Sequence, residues 1–242
     1  MDELRRSLGF AVGLVNFLSL PAALGLIVLA EPITAALFER GAFGSHESAM
    51  TARALQYYAL GLWSVSLSRL LAPGFYALGE SRLPALAAVA SVCVSLVLSV
   101  ALMGPVQATS DSWLAGLVAN VTQRVSLVDL RHGGLALATS LAAAFNAALL
   151  GVLLWRRVGG FAFDVWGPLL RSAAATTVMT IVLDLVADHL SWREGGALLR
   201  GVRLAGVIGL GAGVFAAAAW LIGGPEVRRA RAIVGARLAR RH

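Results

Sequence analysis

The most constraining feature of this sequence is a series of long apolar stretches separated by short polar segments. Six can be recognised, at about residues 8–30, 52–76, 83–103, 133–155, 169–185 and 204–222. A helix needs about 20 consecutive apolar residues to cross the hydrocarbon core of a bilayer, and each stretch is close to that length. The sequence therefore predicts an all-α, polytopic transmembrane helix bundle of about six spanning helices, with one or two short interfacial helices.

The composition excludes an ordinary soluble domain. Hydrophobic residues make up 58% of the chain and charged residues 14%, whereas soluble domains have roughly 45–50% and about 25%. A chain of this kind has more apolar surface than its own core can bury, so lipid is the solvent that fits it.

The charge of the chain comes from arginine alone: all 20 basic residues are arginines, and the net charge is +7. A basic excess can indicate nucleic acid or an anionic membrane surface as partner. The last 15 residues contain six arginines, at Arg228, Arg229, Arg231, Arg237, Arg240 and Arg241. Most of the others flank apolar stretches, which is typical of cytoplasmic anchoring and not of nucleic-acid binding.

Six spans place both termini on the same side of the membrane. Twelve arginines fall on that side and seven on the other, with Arg69 left inside a span. Because cytoplasmic loops carry an excess of basic residues, both termini are predicted to be cytoplasmic.

Arg69 lies inside the second apolar stretch, about two turns from its cytoplasmic end. A guanidinium at that depth is costly unless it is paired, lies in a cavity or reaches the interface. Snorkelling or an inter-helix salt bridge is one interpretation, and contact with a phosphate group is the other. The sequence favours neither.

Further polar residues lie on the third and fourth stretches. Ser95, Ser99 and Thr139 are expected to line a small polar pocket between these helices. Without a carboxylate such a pocket holds a cation only weakly, so hydroxyl groups that simply pack the helices together are the alternative.

Small residues recur at intervals of four on two of the stretches, a pattern that lets another helix approach closely. The two ladders are Gly134, Ala138, Ala142 and Asn146 on the fourth stretch, and Ala205, Gly209, Gly213 and Ala217 on the sixth. Between the third and fourth stretches, apolar residues at helical spacing within 106–132 predict a helix on the membrane surface.

Catalytic and metal-binding patterns are not recognised. Cys93 is the only cysteine, and the four histidines, His46, His132, His189 and His242, do not stand at metal-ligand spacing. The sequence has no nucleophile elbow and no carboxylates at recognisable catalytic positions. It therefore predicts a protein that is not an enzyme, with no metal and no cofactor.

Several motifs, taken together, resemble a known family. They are LFERGAF at 37–43, TARAL at 51–55, LLAPGFYA at 70–77, and GGLALATS at 133–140 followed by NA at 146–147. Their order and spacing are similar to those of the MurJ/MviN family of lipid II flippases, within the multidrug/oligosaccharidyl-lipid/polysaccharide exporter superfamily.

The resemblance implies a transporter of the bacterial inner membrane that moves an undecaprenyl-linked peptidoglycan precursor by alternating access. Family members have about fourteen helices, and this chain resembles the last six. On that basis residues 1–158 form part of the C-terminal lobe with an interfacial insertion at 106–132. Residues 159–223 form the two additional helices that hold the lipid tail in the family, and 224–242 form a basic cytoplasmic tail.

The resemblance also implies substrate contacts, for which Arg69 and Asn146 are the candidate residues. The essential arginines of the family lie on earlier helices that have no counterpart in this sequence, so none is carried over. We expect the chain to need those helices, from a separate chain or a longer gene product. The alternatives are a non-transporting membrane scaffold or interaction subunit, and a flippase for another polyprenyl-linked oligosaccharide.

Overall fold

The computed structural model of the chain describes residues 2–41, 43–104, 130, 132–159, 166–190, 192 and 195–222. In this part the chain forms seven α-helices and no strand. They are α1 (Asp2–Val28), α2 (Ala30–Phe38), α3 (Ser45–Ala77), α4 (Arg82–Leu102), α5 (His132–Val158), α6 (Trp166–Asp188) and α7 (Ala197–Ile222). The all-α class is confirmed. Nearly all of the insertion at 106–132, and the whole basic tail at 224–242, lie outside the described residues.

Five of the described helices are long and apolar enough to cross a membrane. These segments are Arg5–Val28, Arg82–Leu102, Gly133–Val158, Gly167–Asp188 and Leu198–Ile222. They correspond to five of the six predicted spans, which confirms a polytopic helical membrane protein.

The remaining predicted span lies within α3, which is long but polar. The helix has 33 residues, or about 50 Å at a rise of 1.5 Å per residue, and includes Arg53 and Arg69. It begins earlier than the apolar pattern predicts because Glu47 caps it, accepting a hydrogen bond of 3.0 Å from the backbone N–H of Gly44. That α3 crosses the membrane stays a prediction.

The helices fall into two compact units. The first unit comprises residues 1–37 and 160–242, and the second comprises 38–159. The contacts therefore group α1 with α6 and α7, although they are far apart in the chain. The division at residue 158 follows position in the family and not packing, and it stays a prediction.

In the first unit, α6 packs against both α1 and α7. Ser172 on α6 donates a hydrogen bond of 3.2 Å to the backbone carbonyl of Asn16 on α1. The rings of Phe17 on α1 and Phe215 on α7 lie 4.9 Å apart. Met179 and Leu183 belong to the same buried apolar cluster, so the core of this unit is where the three helices meet.

In the second unit, α5 packs against both α3 and α4, which barely touch each other. The small residues predicted for α5 make this possible: Ala138 and Ala142 are 0% and 3% exposed. Gly134 lies so close to the carbonyl of Leu102 that a side chain would collide with it. The close approach predicted for the first ladder is confirmed.

The second ladder, on α7, does not pack in this way. Its four members are exposed, and a methyl group added at Gly209 or Gly213 would meet nothing within 4 Å among the described residues. The helix instead buries Leu204, Val207 and Phe215 on another face.

Candidate binding pocket between α3, α4 and α5

A pocket of about 380 Å³ lies within the second unit, between its three helices. Ten residues line it: Val65, Ser68 and Arg69 from α3, Ser91, Val92 and Ser95 from α4, and Thr139, Ala142, Ala143 and Asn146 from α5. Its volume is near the lower end of the range for small-molecule sites, roughly 300–1,000 Å³.

Helical spacing accounts for the residues that meet here. Residues three and four apart share a helix face, which brings Val65, Ser68 and Arg69 onto one side of α3. The pocket wall on the other side is held by Ser91, whose hydroxyl donates a hydrogen bond of 3.0 Å to the carbonyl of Ala142. This bond joins α4 to α5 beside the pocket.

Four of the five predicted site residues line this one pocket: Arg69, Asn146, Ser95 and Thr139. Ser99, one turn further along α4, is not among the lining residues. The predicted pocket between the third and fourth spans therefore also has a wall from the second. The roles of these residues in binding stay predictions.

Two lining hydroxyls were not in the predicted set. Ser68 precedes Arg69, and Ser91 stands one turn before Ser95, in the same i, i+4 register on α4. The register of serines on α4 was a signal for Ser91. Ser68 is one of several polar residues of the second stretch, and only the packing of α3 against α5 selects it.

Among the described residues, Arg69 is the only charged one that lines the pocket. It is exposed, and among the described residues it has no ion pair and no hydrogen bond. It stands eight residues before the end of α3, or about 12 Å along the axis. The inter-helix salt bridge considered as one interpretation of this residue is therefore not found in the described part of the chain.

Two polar oxygens at the pocket are buried and without a partner among the described residues. They are the hydroxyl oxygen of Ser68 and the amide oxygen Oδ1 of Asn146. A buried polar group without a partner costs about 1–3 kcal/mol. A ligand that exchanges hydrogen bonds with these two groups would recover that cost.

Of the other three hydroxyls of the pocket, two already donate their proton to a backbone carbonyl. Thr139 donates to the carbonyl of Leu135 at 2.8 Å, and Ser91 donates to Ala142 as described. Such hydroxyls can accept a further hydrogen bond but cannot donate one. The donors left for a ligand are therefore on Arg69, Ser68, Ser95 and Asn146.

A second cavity, of about 470 Å³, lies in the first unit and has a different character. Its walls come from α1, the start of α2, α6 and α7, and include Phe17, Pro21, Leu29, Met179, Leu183 and Phe215. All its lining side chains are apolar. Such a groove accommodates a hydrocarbon chain but offers no side-chain contact for a polar head group.

An ion pair joins the end of α5 to the turn between α3 and α4. Arg157 Nη1 lies 2.7 Å from Glu80 Oε1. The turn holds Glu80 in place through Gly79, whose φ of +74° is in the left-handed region, and through a 2.9 Å bond from the Glu80 N–H to the carbonyl of Phe75. Neither Glu80 nor Arg157 lines the pocket between α3, α4 and α5.

Comparison with known proteins gives a consistent result. A family model described as lipid II flippase MurJ matches residues 1–202. The chain is 32% identical over 228 residues to a probable lipid II flippase MurJ of Vibrio cholerae, and this covers 92% of the chain and 38% of the relative.

Two further relatives carry the same description. A protein of Rhizobium meliloti is 30% identical over 219 residues, covering 89% of the chain and 36% of its own length. One of Bdellovibrio bacteriovorus is 40% identical over 114 residues, covering 47% and 22%. The chain thus spans well under half the length of the curated relatives it matches.

Proposed function

Because the chain belongs to the MurJ lipid II flippase family, we propose that it forms part of a flippase for a lipid-linked peptidoglycan precursor in the bacterial inner membrane. It acts as a transporter and not as a catalyst of a chemical reaction. Both termini face the cytoplasm, in keeping with the arginine bias, so the Glu80–Arg157 pair lies at the cytoplasmic end of the second unit.

The observation that carries this proposal is the pocket of the second unit. There an exposed guanidinium, which has no ion pair among the described residues, lies beside two buried polar oxygens where the polar helix α3 meets α4 and α5. If α3 crosses the membrane as predicted, Arg69 is an ionisable group within a membrane segment, and such groups mark substrate or ion pathways. We therefore assign Arg69 and Asn146 as residues that contact the polar part of the substrate.

The chain supplies only part of the translocation path. Alternating access requires two repeats or lobes that move around one site, and the curated relatives are much longer than the segment matched here. Further helices, on a separate chain or on a longer gene product, complete the path.

A complementation experiment tests this function. The native flippase is depleted from a bacterium, and this chain is expressed alone or together with a segment that supplies the remaining helices of a relative. We expect growth only when both parts are present. Growth with the chain alone contradicts the need for further helices, and failure of the pair, with both parts at normal abundance in the membrane, contradicts the flippase function.

Arg69→Ala in the reassembled pair separates transport from a scaffold role. Lost growth with normal abundance of the chain supports substrate contact, whereas reduced abundance supports a structural role.

The exposed ladder of α7 is the feature that favours the scaffold alternative, since small residues on a helix face suit contact with another membrane helix. Gly209→Leu should abolish contact with another membrane helix at this face. If the chain is a transporter and not a scaffold, flipping should stay intact in this variant.

A further inference from the structure

We propose that the pocket between α3, α4 and α5 is a binding site for a phosphate group, held by Arg69 with neutral contacts from Ser68, Ser95 and Asn146. The identity of the natural ligand, as the phosphate of a lipid-linked precursor, rests on the proposed function. The phosphate chemistry itself rests on the pocket alone.

The sign of the ligand's charge follows from the charged groups of the pocket. The ten lining residues found in the described part of the chain include one guanidinium and no carboxylate. A cation there would meet the positive charge of Arg69 and would find only neutral oxygens to coordinate it, and these hold metal ions weakly. An anion instead supplies the ion pair that Arg69 lacks in the described part of the chain.

The hydrogen-bonding groups lead to the same conclusion. A phosphate accepts hydrogen bonds, so only groups with free donors can serve it. Ser91 and Thr139 already donate to carbonyls, whereas the Ser68 hydroxyl has no partner among the described residues. Arginine adds a planar fork of donors that matches phosphate oxygens in pairs.

Asn146 extends the site beyond a bare anion. Its amide offers donors to a phosphate oxygen, while its buried Oδ1 needs a donor from the ligand. A hydroxyl group on the ligand, from a protonated phosphate or from an attached sugar, provides that donor. The volume of about 380 Å³ leaves room for a phosphate and part of its substituent.

Binding is measured with the purified full chain in detergent, by isothermal titration calorimetry. Inorganic phosphate is the first probe, and sodium chloride at the same ionic strength is its control. Farnesyl phosphate is the second probe, and farnesol, which has the chain but not the phosphate, is its control. We expect saturable binding of both phosphates and none of sodium chloride at matched concentration.

Variants assign the binding to this pocket. Arg69→Ala should weaken phosphate binding by at least about tenfold, since hydrogen bonds to charged groups are the strong ones. Arg69→Lys and Asn146→Ala should each weaken it by about threefold, because a lysine keeps the charge but loses the paired geometry. Arg53→Ala, an exposed arginine of α3 outside the pocket, is the matched control and should bind as the unmodified chain does.

If farnesyl phosphate binds more tightly than inorganic phosphate and farnesol does not bind, the site takes a lipid-linked phosphate. If the two phosphates bind with equal affinity, the site takes a free phosphate. Either result supports a phosphate site in this pocket. The proposal is overturned if phosphate does not bind, or if Arg69→Lys and Asn146→Ala bind it as Arg53→Ala does. Phosphate binding without complementation removes only the proposed function. Complementation without phosphate binding removes only this inference.

Discussion

At the scale of single residues, close packing in the second unit depends on a glycine, which has no side chain to keep two helices apart. Gly61 on α3 faces Ser140 on α5, and a methyl group added at Gly61 would lie 2.6 Å from the Ser140 hydroxyl oxygen and 2.9 Å from its Cα. Ser140 in turn donates a hydrogen bond of 2.6 Å to the carbonyl of Tyr57. Contact and hydrogen bond therefore hold the two helices at one separation.

Gly61→Ala should destabilise the second unit by about 1–3 kcal/mol, the usual cost of overpacking. The added methyl group presses on a backbone atom, which cannot move aside as the end of a flexible side chain can. The matched control is Gly151→Ala on α5, where a methyl group would meet only Leu71 Cδ1 at 3.8 Å. There the better helix propensity of alanine is worth up to about 1 kcal/mol.

The thermal midpoint of the detergent-purified chain, followed by circular dichroism at a helix wavelength, compares the two variants. Gly61→Ala should lower the midpoint while Gly151→Ala leaves it unchanged or raises it. Equal midpoints would mean that α3 and α5 do not approach as closely at Gly61 as the structure has them.

At the scale of elements, the sequence predicted which helix faces suit close packing but not which of them are used. Ladders on α5 and α7 have the same spacing of small residues, yet only the one on α5 is buried. A ladder is a local property of one helix, whereas its partner depends on residues elsewhere in the chain. For the same reason the pattern pointed equally to Ser95 and Ser99, and only the packing of α4 on α5 selects Ser95.

The ion pair between Glu80 and Arg157 joins two elements of the second unit, and its expected contribution to stability is small. Arg157 is 56% exposed and Glu80 28%, so solvent screens the attraction, and such pairs are worth about 0–1 kcal/mol. In a double-mutant cycle of Glu80→Gln and Arg157→Gln, we expect a coupling energy within that range. Arg156→Gln, the exposed neighbour, should show no coupling to Glu80→Gln.

Chemical unfolding in urea, monitored by tryptophan fluorescence, measures this coupling. A coupling energy well above about 1 kcal/mol would show that the pair is better shielded from water than its exposure indicates. A coupling of the same size for Arg156 would show a general charge effect and not a specific ion pair.

At the scale of the whole molecule, hydropathy predicted the helical class and six apolar spans, of which five are confirmed. It could do so because the apolar residues that make a helix suitable for lipid lie within that helix. It did not predict that α1 groups with α6 and α7, more than a hundred residues later. Nothing in a local pattern identifies a distant partner, and contacts such as that between Ser172 and Asn16 appear only in three dimensions. Hydropathy leaves the polar helix α3 undecided, since its length suits a membrane span and its composition does not.

Whether α3 crosses the membrane is decided by the sides on which its two ends lie. The chain has one cysteine, Cys93, so Cys93→Ala gives a background for single-cysteine labelling. His46→Cys and Ser81→Cys place exposed thiols beside the two ends of α3. If α3 spans the bilayer with both chain termini in the cytoplasm, a membrane-impermeant maleimide should label position 46 in intact spheroplasts and position 81 only after permeabilisation. Labelling of both positions in intact spheroplasts, or of neither, would place both ends on one side, and the pocket that holds Arg69 would then not lie along a path across the membrane.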